Sequence, residues 1–184
     1  MSHRLIVCDV ETTGLIQGVH VALEIAALDT ATGEEMYIAP RVDPYAWQRA
    51  DPVAMSINRY FERRVYEHIV PMSDEANLAH RLGEMLAGNT LGGSNPRFDL
   101  EMVRAFLDRH EVETEPHHRL ADLSAYAAGV LDLDPTELPG LAEVCRRVGL
   151  ATAPDHTAMQ DARVTWRCFK ALREIRAGVR QVIA

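Results

Sequence analysis

The sequence predicts an α/β fold, a mixed five-stranded sheet flanked by helices, and three observations predict it. Three short segments rich in apolar and β-branched residues stand at the front of the chain. Behind them, stripes of helical period alternate with further short apolar runs, and no repeat, low-complexity tract or linker breaks the succession. The 184 residues suit one domain spanning 1–184, a length at which about two-thirds of the unfolded surface is buried.

Residues 4–10 (Arg-Leu-Ile-Val-Cys-Asp-Val) read as a buried strand, with apolar side chains on both faces. Residues 21–29 and 34–39 read as two more, joined through Asp29-Thr30-Ala31-Thr32-Gly33, whose turn formers imply a hairpin. Residues 40–60 hold Pro40, Pro44 and Pro52 with few periodic apolar positions, so a loop is expected, with a helical turn at 54–58. Beyond Pro71, Ser73 is placed to cap a helix that runs to residue 87, with Leu78, Leu82, Met85 and Leu86 on one stripe and Gly88 as its stop. A short strand at 90–92 leads through a double glycine into a helix over 98–110 that buries Met102, Val103, Phe106 and Leu107. A fifth strand is expected at 120–123, then helices at 124–131 and 138–148, the second closed by Gly149. The last helix, 157–177, carries Ala162, Trp166, Phe169 and Leu172 on a core-facing stripe.

Composition narrows the function. The three cysteines, Cys8, Cys145 and Cys168, are widely spaced, odd in number and set among apolar neighbours, which suits buried thiols in a reducing compartment and not a zinc site. The N-terminus lacks the features of a signal peptide, and no run approaches the ~18 apolar residues of a membrane helix. A cytoplasmic protein is expected. A net charge of −8 argues against coating nucleic acid by bulk electrostatics. From His156 onward, five Arg and one Lys against two acids give +4, leaving −12 on the rest, and this basic stretch reads as a solvated helix face, with approach to a phosphate backbone as the alternative.

Asp9 and Glu11 stand two apart on a strand, so both project from one face with Cα atoms roughly 6.5–7 Å apart, within reach of one ion. Asp9 ends the run Leu5-Ile6-Val7-Cys8, and so emerges from a buried strand. Asp99 lies near a helix start, where the helix dipole favours its ionised form. His156 and Asp161 bracket the entry to the last helix. Taken singly, each is an ordinary solvated, capping or hydrogen-bonded residue. Converging, the four carboxylates would repel by up to ~4 kcal/mol per pair at 4 Å and an effective dielectric of 20, so positive charge belongs among them. Oxygen ligands select hard cations such as Mg²⁺ or Mn²⁺.

Three segments carry a resemblance: Asp9-Val10-Glu11-Thr12-Thr13-Gly14, Asn95-Pro96-Arg97-Phe98-Asp99, and His156-Thr157-Ala158-Met159-Gln160-Asp161-Ala162. In order and separation they resemble the three motifs of the DEDDh exonucleases, a family that includes the proofreading exonucleases of DNA polymerases. The likeness extends to Glu24-Ile25-Ala26-Ala27 and to residues 52–58. It implies a ribonuclease H-like fold in which Asp9, Glu11, Asp99 and Asp161 hold two divalent cations. His156 would be the general base for water attacking the last phosphodiester, and imidazole suits the task because it ionises near neutral pH. The same resemblance assigns the backbone around Glu11 to Thr13 to the terminal 3′-hydroxyl, counts Thr12, Thr13 and Gly14 among the substrate-binding residues, and assigns Leu15 to a wedge against the last bases. Asn58, Asn95 and Phe98 are assigned to the substrate.

Many relatives have His where this chain has Asn58, Gly where it has Arg59, and His where it has Ser94. These departures bear on substrate preference more than on metal. The expected partner is the 3′ end of a single strand, with the Thr12-Thr13-Gly14 run favouring DNA. The alternatives are an RNA exonuclease resembling ribonuclease T or oligoribonuclease, a non-catalytic polymerase-binding module, and a nuclease that cuts internally. Whether the chain stands alone or docks on a DNA polymerase is left open.

Overall fold

A computed structural model describes residues 3–151 and 154–179. Its centre is a five-stranded sheet in the order β3-β2-β1-β4-β5. The strands are β1 (Leu5–Thr12), β2 (Ala22–Asp29), β3 (Glu35–Ile38), β4 (Thr90–Gly93) and β5 (Ala121–Asp122). β1 pairs antiparallel with β2, and β2 with β3, while β4 runs parallel to β1 and β5 to β4. β1 is therefore the strand where an antiparallel meander meets a parallel half-sheet. In such sheets a crevice opens beyond the carboxyl ends of the strands where the winding changes sides.

Alternation along β1 separates two cores. Ile6, Cys8 and Val10 join Ile25, Ala27, Met36 and Ile38 on one face, covered by α3 (Met72–Leu86) and α4 (Pro96–Arg109) through Leu82, Leu86, Val103 and Phe106. Val7 joins Ala26 and Leu28 on the other face, covered by α5 (Leu123–Leu131), α6 (Leu141–Arg147) and α7 (Ala158–Arg176). The period of two puts Asp9 and Glu11 on the α7 face, beyond the point where Val7 ends the apolar row. Register places Asp9 opposite Ala26 and Glu11 opposite Glu24, with an irregularity between Glu11 and Thr12.

Several boundaries differ from the sequence expectation, each for a local reason. The stretch expected as loop with a helical turn at 54–58 contains α1 (Pro44–Trp47) and, where the turn was expected, the longer α2 (Pro52–Asn58). Asp43 and Asp51 cap them, accepting from the N–H groups of Tyr45 and Val53 at 2.7 Å, and each Asp is followed by a proline at the first helical position. Ser73 does not cap α3. That helix starts earlier, at Met72, with Pro71 in the cap position, and the Ser73 hydroxyl donates to Asp74. α6 begins at Leu141, behind Gly140, and β5 shrinks to two residues. Among the described residues no helix is long and apolar enough to cross a membrane. Cys8, Cys145 and Cys168 are all buried, as expected. Along α7, Arg163 pairs with Glu35 and Lys170 lies over the Trp166 ring, while Arg180 lies outside the described residues.

One glycine sets how closely α4 approaches the sheet. A Cβ at Gly93 would lie 3.0 Å from Asp99 Oδ2 and 3.1 Å from the Cys8 carbonyl oxygen. Gly93→Ala is therefore predicted to cost about 1–3 kcal/mol, because backbone and a buried carboxylate must move. Gly129→Ala, where nothing lies within 4 Å of the added carbon in α5, is predicted to be neutral or stabilising by roughly 0.5–1 kcal/mol. Urea denaturation of the two variants checks the contrast.

Candidate active site

β1 carries the first two acids to the cleft, both half-buried. β4 ends at Gly93 and its pairing with β1 reaches only Val7, so the Val10 N–H finds no strand partner on that side. Asp99 takes it. The Asp99 side chain, buried in the first turn of α4, accepts from Val10 N at 3.1 Å and crosses from the α4 layer to the end of β1. Asp161 comes from the opposite layer, buried in the first turn of α7, and accepts from the Asp155 N–H at 3.0 Å. His156 stands on the connection just before α7, exposed, with its backbone in the left-handed region at φ 59°. Glu11, His156 and Asp161 bring ligand atoms within 4.8 Å of one another.

The acids border a cleft of about 540 Å³ whose walls include Asn95 and Phe98 from the start of α4, residues 140–143 at the start of α6, and His156. Its electrostatics are dominated by burial of like charge. Asp9 is held well above the usual carboxylate range, first by burial and then by Asp99, Asp161, Glu11 and Glu24. Glu11 rises to about 8, through burial, Glu24 and Asp161, with the Arg63 guanidinium pulling in the other direction. Asp99 rises to about 7 by burial, despite the hydrogen bond from Val10. This corrects the expectation from the helix start: desolvation of the fully enclosed carboxyl outweighs the dipole and the N–H donor. Asp161 is raised too, by burial, with His156 and the Asp155 N–H lowering it in part.

A proton or a cation relieves such a cluster, and the donors present are four carboxylates and one imidazole. That set fits a hard divalent cation.

The family profile of an exonuclease domain matches residues 6–169 of the chain, from the first residues of β1 into α7. The chain belongs to this exonuclease family. An exonuclease-family fold is also what the solved structures show. Escherichia coli exonuclease I in complex with a dT13 oligonucleotide is similar at 21% identity and a TM-score of 0.67, over 96% of this chain and 42% of that one. The zinc-bound E. coli enzyme with single-stranded DNA gives 20% and 0.64, over 97% and 42%. Exonuclease I from Methylocaldum szegediense gives 23% and 0.68, over 94% and 41%. The chain thus spans less than half the length of these proteins. No curated protein sequence matches it.

One cleft gathers all five residues expected from the sequence to be catalytic, Asp9, Glu11, Asp99, His156 and Asp161. The seven expected to touch substrate divide. Asn95 and Phe98 line the cleft, and Leu15 is 74% exposed on the loop after β1. That loop is pinned by His20, which accepts from Ile16 N at 2.8 Å, and its ring leaves room at Gly14 for hydrogen alone, since a Cβ there would lie 2.5 Å away. Thr12 and Thr13 are buried, their hydroxyls committed to the Gly14 carbonyl and the Val21 N–H.

Asn58 is placed differently from the expectation. It is 2% exposed, its amide donates to the Thr12 carbonyl at 2.9 Å, and its oxygen accepts from Tyr60 N, so it braces the end of β1 and does not line the cleft. Arg59 has a left-handed backbone at φ 52°.

Sequence reading gave no role to Glu24 or Arg63, nor to the start of α6. Glu24 left two legible signals: it opens the segment Glu24-Ile25-Ala26-Ala27 that shares in the resemblance, and it is an acid among apolar residues of β2 on the same pleat face as Glu11.

The raised carboxyls fix the sign of the pH dependence. Asp99 moves from an ordinary 3.8 to about 7 and Glu11 from 4.5 to about 8. Folded pKa values above unfolded ones mean stability that is fully present below about pH 4 and lost as pH rises through about 7 and 8. In chelator the melting temperature is predicted to fall between pH 6 and 8.5, and added Mg²⁺ is predicted to raise it most at the alkaline end. Thermal melts across that range, with and without the ion, decide it; a chelated protein that grows more stable with rising pH contradicts the charge assignment.

Proposed function

We propose that the chain is a metal-dependent 3′-to-5′ exonuclease acting on single-stranded or frayed DNA and releasing nucleoside 5′-monophosphates. The observation that carries this reading is the convergence of Glu11, His156 and Asp161 within 4.8 Å, beside the half-buried Asp9 and the buried Asp99, in a cleft of an exonuclease-family chain. Support for DNA comes from the similar structures solved with single-stranded DNA. The direction of attack follows from the resemblance of the three acidic motifs to those of the DEDDh exonucleases.

In this reading Asp9, Glu11, Asp99 and Asp161 hold two divalent cations, Mg²⁺ or Mn²⁺. When bound, such ions lower the pKa of water and stabilise charge developing on the attacking and leaving oxygens. His156 accepts, on an imidazole nitrogen, the proton of the water whose oxygen attacks the terminal phosphorus. The bond from that phosphorus to the 3′-oxygen of the preceding nucleotide breaks, so a nucleoside 5′-monophosphate leaves and the strand keeps a 3′-hydroxyl. An exposed histidine on a loop is suited to this exchange, because solvent receives the proton between turnovers. Leu15, held outward by the His20 pin, stacks on the last base, while Asn95 and Phe98 supply the wall that orients the terminal nucleotide.

With Mg²⁺ or Mn²⁺ the protein is predicted to shorten a 5′-labelled single strand stepwise and to stop on chelation. Asp9→Ala reduces turnover to background, and His156→Ala lowers it by about 10²- to 10⁴-fold with the fold intact. Denaturing gels of matched DNA and RNA strands test the reading, and products arising only from internal cuts overturn it.

A further inference from the structure

The catalytic assignment of His156 raises a mechanical question. Its side chain is exposed on a loop and its backbone is left-handed at φ 59°, a conformation that costs a non-glycine residue free energy and persists only where its surroundings impose it. Toward α7, the loop is held by Asp161, which accepts the Asp155 N–H, and by Asp155, which accepts the Thr157 N–H and hydroxyl. Among the described residues, a hold from outside this segment comes from Arg63, 93 residues away in sequence, whose Nη1 donates to the His156 carbonyl at 2.7 Å.

Arg63 is itself seated. Its Nη2 donates to both carboxylate oxygens of Glu24, and the Arg63 side chain is only 18% exposed. Glu24 is a buried β2 residue that also accepts the Tyr37 hydroxyl, at 3.2 Å, and the backbone N–H of Ala158 at the start of α7. One carboxylate in the sheet thus anchors both the first helical residue after the histidine loop and the guanidinium that holds the loop's carbonyl. A guanidinium suits this place because its fork is planar and rigid, so fixing one arm on Glu24 fixes where the other points.

We infer that Arg63, seated on Glu24, is the positioning residue that sets the main chain of His156 and so aims its imidazole into the cleft. This rests on the exonuclease reading above. Arg63 touches neither substrate nor reacting atoms in this role; it acts through His156.

The test is a kinetic cycle on the full chain with Mg²⁺ and a single-stranded DNA substrate, using Arg63→Lys, Arg63→Ala, His156→Ala and the two double variants. Lysine keeps a positive charge for Glu24 but has no second arm for the His156 carbonyl, so it folds even where alanine does not. Arg63→Lys is expected to lower kcat roughly 10- to 100-fold, the scale of a misplacement near 1 Å, with KM changed less than about threefold. In the His156→Ala background the same change is expected to alter kcat less than about twofold, since the group being aimed is gone.

Equal losses in both backgrounds would show that Arg63 serves the acids or the fold at large, and would overturn the inference. Full kcat in Arg63→Lys would do the same. A wild-type chain that fails to cut, or a His156→Ala variant at full rate, would instead strike the underlying reading, so the two failures are distinguishable.

Discussion

Repulsion among buried carboxylates is the constraint around which the rest of this structure is arranged. Asp9 feels Asp99, Asp161, Glu11 and Glu24 while being enclosed by protein, and each neighbour pushes its carboxyl further above the ordinary range. No hydrophobic gain explains placing these groups together. Each is fixed by a different element: Asp9 and Glu11 by the pleat of β1, Asp99 by the first turn of α4, Asp161 by the first turn of α7, and Glu24 by its register opposite Glu11. The two cores above and below the sheet supply the rigidity that holds like charges against their tendency to separate.

The fold offsets part of this repulsion with what it has. Val10 gives Asp99 an N–H, Asp155 gives one to Asp161, and Arg63 neutralises Glu24 while drawing Glu11 down. These donors do not suffice, for Glu11 and Asp99 still rise to about 8 and about 7. The remainder is the affinity a site keeps for protons or for divalent cations. In the proposed reading the same free energy that destabilises the cation-free chain becomes binding energy for the ions that do the chemistry.

Much of the site was legible in the sequence because it depends on short-range geometry. Two acids at a spacing of two on an apolar strand must share a face, and an acid in the first turn of an amphipathic helix lies at a sheet edge. What escaped was set by contacts between distant segments. Nothing local marks Arg63 as a partner of Glu24 and His156, which lie 39 and 93 residues away. Asn58 belonged to a motif associated with substrate, yet its amide closes on the Thr12 carbonyl, a contact made only once α2 folds under β1. The upward shift of the Asp99 carboxyl escaped for a related reason, since a helix start is visible in sequence and burial is not. Helix α1 was missed and α2 was seen only as a turn at 54–58, although each Asp-Pro pair signals an N-cap, because neither has enough turns to show an apolar period.

The most direct test of the account is the proton count on ion binding. With Glu11 raised to about 8, Asp99 to about 7 and Asp9 raised as well, the cation-free site is expected to hold protons at pH 6.5 that saturating Mn²⁺ displaces. Titration calorimetry in buffers of different ionisation enthalpy reads that number. The account predicts saturable binding with release of at least about one proton at pH 6.5, the number falling as pH rises through about 7 and 8. Saturable binding that releases no protons at pH 6.5, or no binding at millimolar Mn²⁺, would contradict it.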